Sequence, residues 1–364
     1  MSNQTKNEFN PDYAIHPGEI LEETLQARGI SNAELAARSG ITPKHISQII
    51  NGKSPITTPT AIMLERILDV KASLWLKLDS DYCLYKQKAE EQSALTDAYA
   101  WAQKFPINEL VKRGLLPAVK DAASKVAALL GLFNVGSVGA WKQQYADMAV
   151  QFRRATKNAA QNEAIAAWLK IGENKAKEIP TQQYNKSRFL SALKSIRPLT
   201  RKEPAVFEPE MVRLCAECGV AVVFVREFAG TGLSGATYWL GGDKAILMLS
   251  LRYKWDDIFW FTFFHEAGHI LLHSKDHLIV DGKEFSGDSR EAEANTFAAD
   301  FSIPLKDYKD FISANARPSE SAILKFAQLL DIAPGIVIGR MQKEKRIPYR
   351  LYNGLKKRYD LKDN

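Results

Sequence analysis

Five consecutive residues, His265-Glu266-Ala267-Gly268-His269, form the group in this chain best suited to chemistry. Two histidines four apart project from one face of a helix, so both imidazoles can reach a single metal ion. Zn²⁺ accepts nitrogen and oxygen donors in a tetrahedron, and a catalytic site keeps one position for water. Glu266 stands beside the pair and can take a proton from that water. A third protein ligand is still required. The run Arg290-Glu291-Ala292-Glu293-Ala294-Asn295 supplies the candidates. Glu291 and Asn295 share one face of a helix, and Glu293 points to roughly the opposite side. Spacing alone leaves both carboxylates open.

The elements around these residues follow from their patterning. Ile258, Phe259, Trp260, Phe261, Phe263 and Phe264 make the motif helix apolar nearly all round, which predicts burial. Asp256 and Asp257 suit its positive N-terminal end. Two histidines and a glutamate on a buried helix need partners, because unpaired polar groups there are costly. Upstream, residues 220–225, 235–240 and 245–250 read as three strands, with a turn at Gly241-Gly242-Asp243. Tyr238, Tyr253, His273 and Tyr308 are candidate oxyanion donors, and His273 equally suits a helix C-terminus. His277 reads as a loop residue. Cys215-Ala-Glu-Cys218 is a lone pair and reads as a helix face, not a metal site. Residues 322–341 read helix, turn, helix, followed by Lys343, Lys345, Arg346 and Arg350; a structural role beside the site is expected for them.

The N-terminal hundred residues carry a different message. Pro17 opens a helix that ends at Gly29. Ser31 and Glu34 form a capping box, with Ile30 and Leu35 placed as a hydrophobic staple. Thr42 then caps a helix starting at Pro43, whose Ile46, Ile49 and Ile50 face inward. Two short helices joined by a turn containing Gly40 make a helix-turn-helix layout. Thr42, Lys44, His45, Ser47, Gln48, Asn51 and Lys53 are left as candidate contacts to bases and phosphates. Further helices follow through Leu64 and Leu68, then Leu74, Trp75, Leu78 and Tyr82, and residues 87–100 read as a linker or connecting helix. Loss of DNA binding, leaving a protein-interaction module, is the competing possibility.

Two resemblances sharpen these expectations. His16-Pro-Gly-Glu-Ile-Leu, Glu34-Leu-Ala-Ala, Ile50-Asn-Gly-Lys-Ser-Pro-Ile56 and Ser73-Leu-Trp75 resemble the HigA-type antitoxin and repressor domain of the Xre class, over about residues 12–86. The resemblance implies operator DNA binding as a homodimer, and a toxin partner in the antitoxin case. Phe261 to His273, then Glu291-Ala-Glu-Ala-Asn295, then Ile303-Pro304, resemble the ImmA/IrrE metallopeptidase family, over about residues 197–346. That resemblance implies a gluzincin-like fold, zinc held by His265, His269 and Glu291, and cleavage of a repressor or other regulatory protein. Glu293 stays the second choice of ligand, and His273 and Asn295 become supporting residues of the site.

The middle of the chain shows no chemical motif. Trp101, Trp141, Tyr145, Phe152 and Trp168 suit a helical core, and Arg153, Arg154, Lys157 and Lys170 are expected on a surface. The net charge is +7, yet residues 1–100 carry about −3 and 101–202 about +12, by a count of charged side chains along the chain. Three cysteines, a polar N-terminus and the brevity of the apolar runs suggest a reducing, cytoplasmic setting. The expected class is mainly α with a small β-sheet. The expected division is a flexible tail over 1–12, a helix-turn-helix domain over 13–90, a helical linker domain over 91–200 and a metallopeptidase domain with C-terminal helices over 201–364. Two functions remain: a DNA-binding zinc metallo-endopeptidase, or a non-proteolytic HigA-like antitoxin or repressor with a structural or vestigial metal site.

Overall fold

The computed structural model describes residues 14–145, 162–252, 254–273, 279–282, 289–315 and 317–361, with backbone alone at 279–282. The expected flexible tail over 1–12, together with Phe152, Arg153, Arg154, Lys157, Tyr253 and His277, lies outside them. The chain divides into two compact units, Met1–Tyr99 with Asp121–Val126, and Ala100–Lys120 with Ala127–Asn364.

The first unit holds α1 (Pro17–Ala27), α2 (Asn32–Ser39), α3 (Pro43–Ile50), α4 (Thr58–Leu68) and α5 (Ala72–Asp97). Side-chain caps set the starts of the first three. His16 Nδ1 accepts from Gly18 N at 2.9 Å, Ser31 Oγ from Glu34 N at 3.1 Å and Thr42 Oγ1 from His45 N at 3.3 Å. The Glu34 carboxylate does not close the expected capping box; it pairs with Arg38, one turn on. Leu21, Leu25, Leu35, Ile46, Ile49, Ile56, Leu64, Leu68 and Trp75 make one core. Helix α5 runs through most of the stretch expected as a linker or connecting helix over 87–100, ending at Asp97, with its second half exposed.

The second unit is built on a four-stranded sheet in the order β1-β3-β2-β4. Its strands are β1 (Val220–Phe224), β2 (Leu233–Leu240), β3 (Lys244–Leu249) and β4 (Ile279–Gly282). β1 and β3 are parallel, while β2 is antiparallel to both β3 and β4. Before the sheet come α6 (Tyr99–Ala102), α7 (Ile107–Lys112), α8 (Ala122–Phe133), α9 (Val138–Gln144), α10 (Asn162–Glu178), α11 (Lys186–Ile196) and α12 (Pro204–Ala216). After it come α13 (Asp256–Leu272), which carries the motif, then α14 (Ser289–Ser302), α15 (Leu305–Ala314), α16 (Glu320–Leu329) and α17 (Pro334–Lys343).

Helix α10 covers one face of the sheet. Trp168 Nε1 donates to Val225 O at 3.0 Å, and Tyr238 Oη donates to Leu169 O at 3.1 Å. The other face, through Val220, Val222, Phe224, Leu247 and Leu249, shares a core with α12, α13 and α17. The residues expected to form a helical linker domain over 91–200 do not stand apart: 91–99 and Asp121–Val126, at the start of α8, group with the first unit, and Ala100–Lys120 and the residues from Ala127 onward group with the sheet. Trp101 and Trp141 form an edge-to-face cluster with Phe105 and Phe133, and Tyr145 stacks on Trp141. Ala122–Gln144 is apolar enough by composition to cross a membrane, but it is two helices, α8 and α9, and Phe133 and Trp141 bury in that cluster. Lys170, expected on a surface, is buried and paired with Glu173 at 3.0 Å. A charge needs such a partner once it leaves water.

Helices α16 and α17 are bent by 115°, the geometry of a helix-turn-helix. Residues 335–338 of α17 are buried, so this helix cannot enter a DNA groove. It braces the start of α13 instead. The Asp256 carboxylate lies against the backbone of Gly335, and Lys356 bridges Asp257 at 2.6 Å and Gln342 at 2.7 Å. The C-terminal segment adds Tyr359, whose hydroxyl accepts from Trp260 Nε1 at 3.0 Å.

Burial pushes the Asp256 carboxyl up to about 6, helped by the neighbouring Asp257. A carboxyl raised in the folded state stabilises it fully at low pH and loses that contribution as pH climbs through about 6. Asp256→Asn keeps the oxygen that accepts from the Asp257 amide. Between pH 4.5 and 7 the wild type is expected to lose about 2 kcal/mol relative to this variant. Urea unfolding of both proteins at both pH values measures the difference, and parallel pH profiles would contradict it.

Candidate metal centre

Close approach of α13 and α14 creates the site. A Cβ added at Gly268 would meet Phe297 Cδ1 at 3.0 Å and Ala294 Cα at 3.4 Å, so the glycine lets the two helices touch. That approach brings Glu291, in the first turn of α14, opposite the two histidines of α13. Glu291 Oε2 lies 3.2 Å from His265 Nε2, and its Oε1 lies 3.4 Å from His269 Nε2. The two Nε2 atoms are 3.0 Å apart. All three side chains are buried.

These spacings fit a metal ion. Ligands about 2.1 Å from zinc at tetrahedral angles stand about 3.4 Å from one another. Among the described residues, His265, His269 and Glu291 are the group that could hold an ion, with all ligand atoms within 4.8 Å of one another. Their protonation also suits it. Burial alone would raise the Glu291 carboxyl, but hydrogen bonds from His265 and His269 overcome this and bring it down to about 2. Burial pulls the His269 imidazole below its usual value, against the opposing pull of Glu291. An ionised carboxylate and a neutral imidazole are the states a metal requires of its ligands.

Glu266 is fully buried, with its carboxylate against the backbone of Gly235 in β2. Any side chain at 235 would collide with that carboxylate. The isolated glycine inside a strand was a signal of close approach that spacing alone did not connect to Glu266. Phe261, partly exposed one turn earlier, lies at 29° to the His265 ring and walls one side of the site.

The remaining candidates divide clearly. Glu293 stays at the surface and sits 3.5 Å from His273 Nε2, while Asn295 is exposed. His273 Nδ1 lies 2.9 Å from His269 Nδ1. Tyr238 spends its hydroxyl on α10, across the sheet, and the Tyr308 ring lies under the Arg340 guanidinium at 4.2 Å. Neither reaches the site as an oxyanion donor. Cys215, in α12, and Cys218, just after it, are buried free thiols, and burial pushes Cys215 up. In the first unit, Thr42, Lys44, Ser47, Asn51 and Lys53 are exposed on and beside α3, and His45 and Gln48 are half-buried. Asn51 Nδ2 also donates to Ser47 O at 2.7 Å.

Comparison with known proteins agrees with this layout. Residues 21–75 match the family described as Helix-turn-helix, and residues 217–337 match the M78 peptidase family, described as IrrE N-terminal-like domain. The chain joins an Xre-type helix-turn-helix domain to an IrrE/ImmA-like peptidase domain. Over 68 residues, 19% of this chain and 72% of the relative, it is 31% identical to the uncharacterized HTH-type transcriptional regulator YddM of Escherichia coli. It is 30% identical to an addiction module antidote protein of the HigA family from Coxiella burnetii, over 22% of this chain and 89% of that one, with a TM-score of 0.21. A Pseudomonas aeruginosa protein in complex with its operator DNA is 33% identical over 23% of this chain and 90% of its own, with a TM-score of 0.22.

The geometry distinguishes the two carboxylates. The wild type is expected to hold about one zinc per chain. Glu291→Ala loses the ion, and Glu293→Ala keeps it at micromolar zinc. Mass spectrometry of the native proteins reads this directly, and loss of zinc in Glu293→Ala alone would reverse the assignment.

Proposed function

We propose that this chain is a DNA-binding regulatory zinc endopeptidase that cleaves a repressor or other regulatory protein. The observation that carries the proposal is the convergence of His265, His269 and Glu291 in one buried cluster, with Glu266 beside it against β2. A bound zinc ion would act as a Lewis acid, polarising a carbonyl and making a water acidic near neutral pH. His265, His269 and Glu291 would hold the ion. Glu266 takes the proton from the attacking water and can return it to the leaving amine. Its fixed position against Gly235 keeps the carboxylate aimed without a flexible search. Among the described strands β4 is the outermost, beside β2, and the substrate is placed as an extended peptide added along that edge of the sheet.

DNA binding is assigned to α3, through Thr42, Lys44, His45, Ser47, Gln48, Asn51 and Lys53. Two lysines give a small electrostatic footprint, so base-edge contacts carry much of the affinity. Binding as a homodimer fits an operator of two half-sites. A toxin partner belongs to the alternative reading, in which the chain is a HigA-like repressor without proteolysis. The peptidase acts in a reducing cytoplasm, where Cys215 and Cys218 remain thiols.

Glu266→Gln separates the two readings. It retains zinc and operator binding and loses cleavage by at least about 10²-fold. Incubating the protein with regulators encoded beside it, with and without zinc, measures this; undiminished cleavage by the variant would refute the mechanism. On the DNA side, Lys44→Ala is expected to reduce the slope of log affinity against log salt by about 1. An unchanged slope, measured by fluorescence anisotropy across salt concentrations, would remove Lys44 from the phosphate contacts.

A further inference from the structure

Three side chains form a line that leads away from the metal centre. His269 faces Glu291 and His265 through Nε2, and its other ring nitrogen, Nδ1, lies 2.9 Å from His273 Nδ1. His273 in turn places its Nε2 3.5 Å from Glu293 Oε2. His269 lies in α13 and His273 is the residue that caps its C-terminal end, whereas Glu293 comes from α14, two residues after Glu291.

We infer that His273 and Glu293 are positioning residues that fix the tautomer and ring orientation of His269 for metal binding. This rests on the metal reading of His265, His269 and Glu291. The proton arrangement follows from donor and acceptor capacity alone. A neutral imidazole carries one N–H and one lone pair. His269 must keep its Nε2 lone pair free toward the ion, so its proton sits on Nδ1 and donates to His273 Nδ1. With that nitrogen accepting, the His273 proton sits on Nε2, the atom 3.5 Å from Glu293 Oε2. The line runs from the ion's ligand to a carboxylate at the surface. A charged acceptor at its far end makes His269 a stronger donor to the ion.

The same geometry explains two acidic residues so close together on α14. Glu291 turns inward to the two Nε2 atoms, while Glu293 reaches over the end of α13 to His273. The contact to Glu293 is long and the Glu293 side chain is more than half exposed, so as an ion pair it adds little to folding. Its effect is orientational.

The test is zinc affinity, measured on the full-length protein by competition with a chromophoric chelator, with Co²⁺ absorption as a report on ligand geometry. His273→Ala is expected to weaken zinc about 10–100-fold and to broaden the cobalt bands, with the thermal midpoint of the metal-free protein unchanged. His273→Asn restores an acceptor near the Nδ1 position and recovers most of the affinity. Glu293→Ala gives a smaller loss. Because Glu293 acts through His273, the double variant binds zinc no more weakly than His273→Ala alone. Wild-type affinity and spectrum in His273→Ala would overturn the inference while leaving the metal centre standing. Additive losses would sever Glu293 from the line and overturn it as stated. Failure of the wild type to bind zinc at all would overturn the metal reading itself, and the inference with it.

Discussion

The contact between α13 and α14 is the constraint on which the peptidase unit depends. Three ionisable groups, His265, His269 and Glu291, are buried where α13 meets α14, in surroundings that are largely aromatic and aliphatic. Taking such groups out of water costs several kcal/mol each unless they satisfy one another. They do so only if the two helices touch. Gly268 on one helix and Ala294 on the other remove the side chains that would hold them apart. A larger residue at either position would separate the carboxylate of α14 from the imidazoles of α13, and each would then be left short of partners.

Much of the surrounding architecture keeps that contact in register. α17 holds both site helices. Its glycines receive Asp256 and Asp257 at the start of α13, and its Arg340 donates to Ala299 O and Ile303 O, at the end of α14, at 2.8 Å each. Cationic groups favour helix C-termini and carboxylates favour N-termini, so both connections also suit the helix dipoles. Arg340 further pairs with Asp300 and covers the Tyr308 ring. The helix-turn-helix appearance of α16 and α17 thus serves packing. On the opposite side, β2 presents Gly235 to Glu266, and α10 backs the sheet through Trp168 and Tyr238.

The helix-turn-helix unit rests on a different principle. Its core is a small set of aliphatic side chains closed by Trp75, and its helix starts are fixed by local caps. α3 and its flanks carry only Lys44 and Lys53 as cations, so on the proposed function recognition rests on the short polar side chains there. On the proposed function, fusion to a peptidase domain places a proteolytic centre and a DNA address in one chain, and the tether raises the concentration of one near the targets of the other.

Local chemistry was legible in the sequence. Ser31, Thr42 and Pro43 announce helix starts because capping involves residues only two or three apart. The three longer strands are plain from their β-branched and apolar runs, and the face shared by His265 and His269 follows from the helical period alone. Tertiary structure decided what depends on partners distant in sequence. Periodicity places Glu291 and Glu293 on different faces of α14 but cannot say which face meets α13; packing around Gly268 and Ala294 does. Lys170 looks like a surface cation until Glu173 and the sheet enclose it, and Tyr238 and Tyr308 look available until α10 and Arg340 engage them. β4 is four residues long, too short for periodicity to reveal, and exists through its pairing with β2. Hydrogen bonding along one helix is written in neighbouring residues, whereas the identity of a buried group's partner is set by which surfaces the whole chain can bring together.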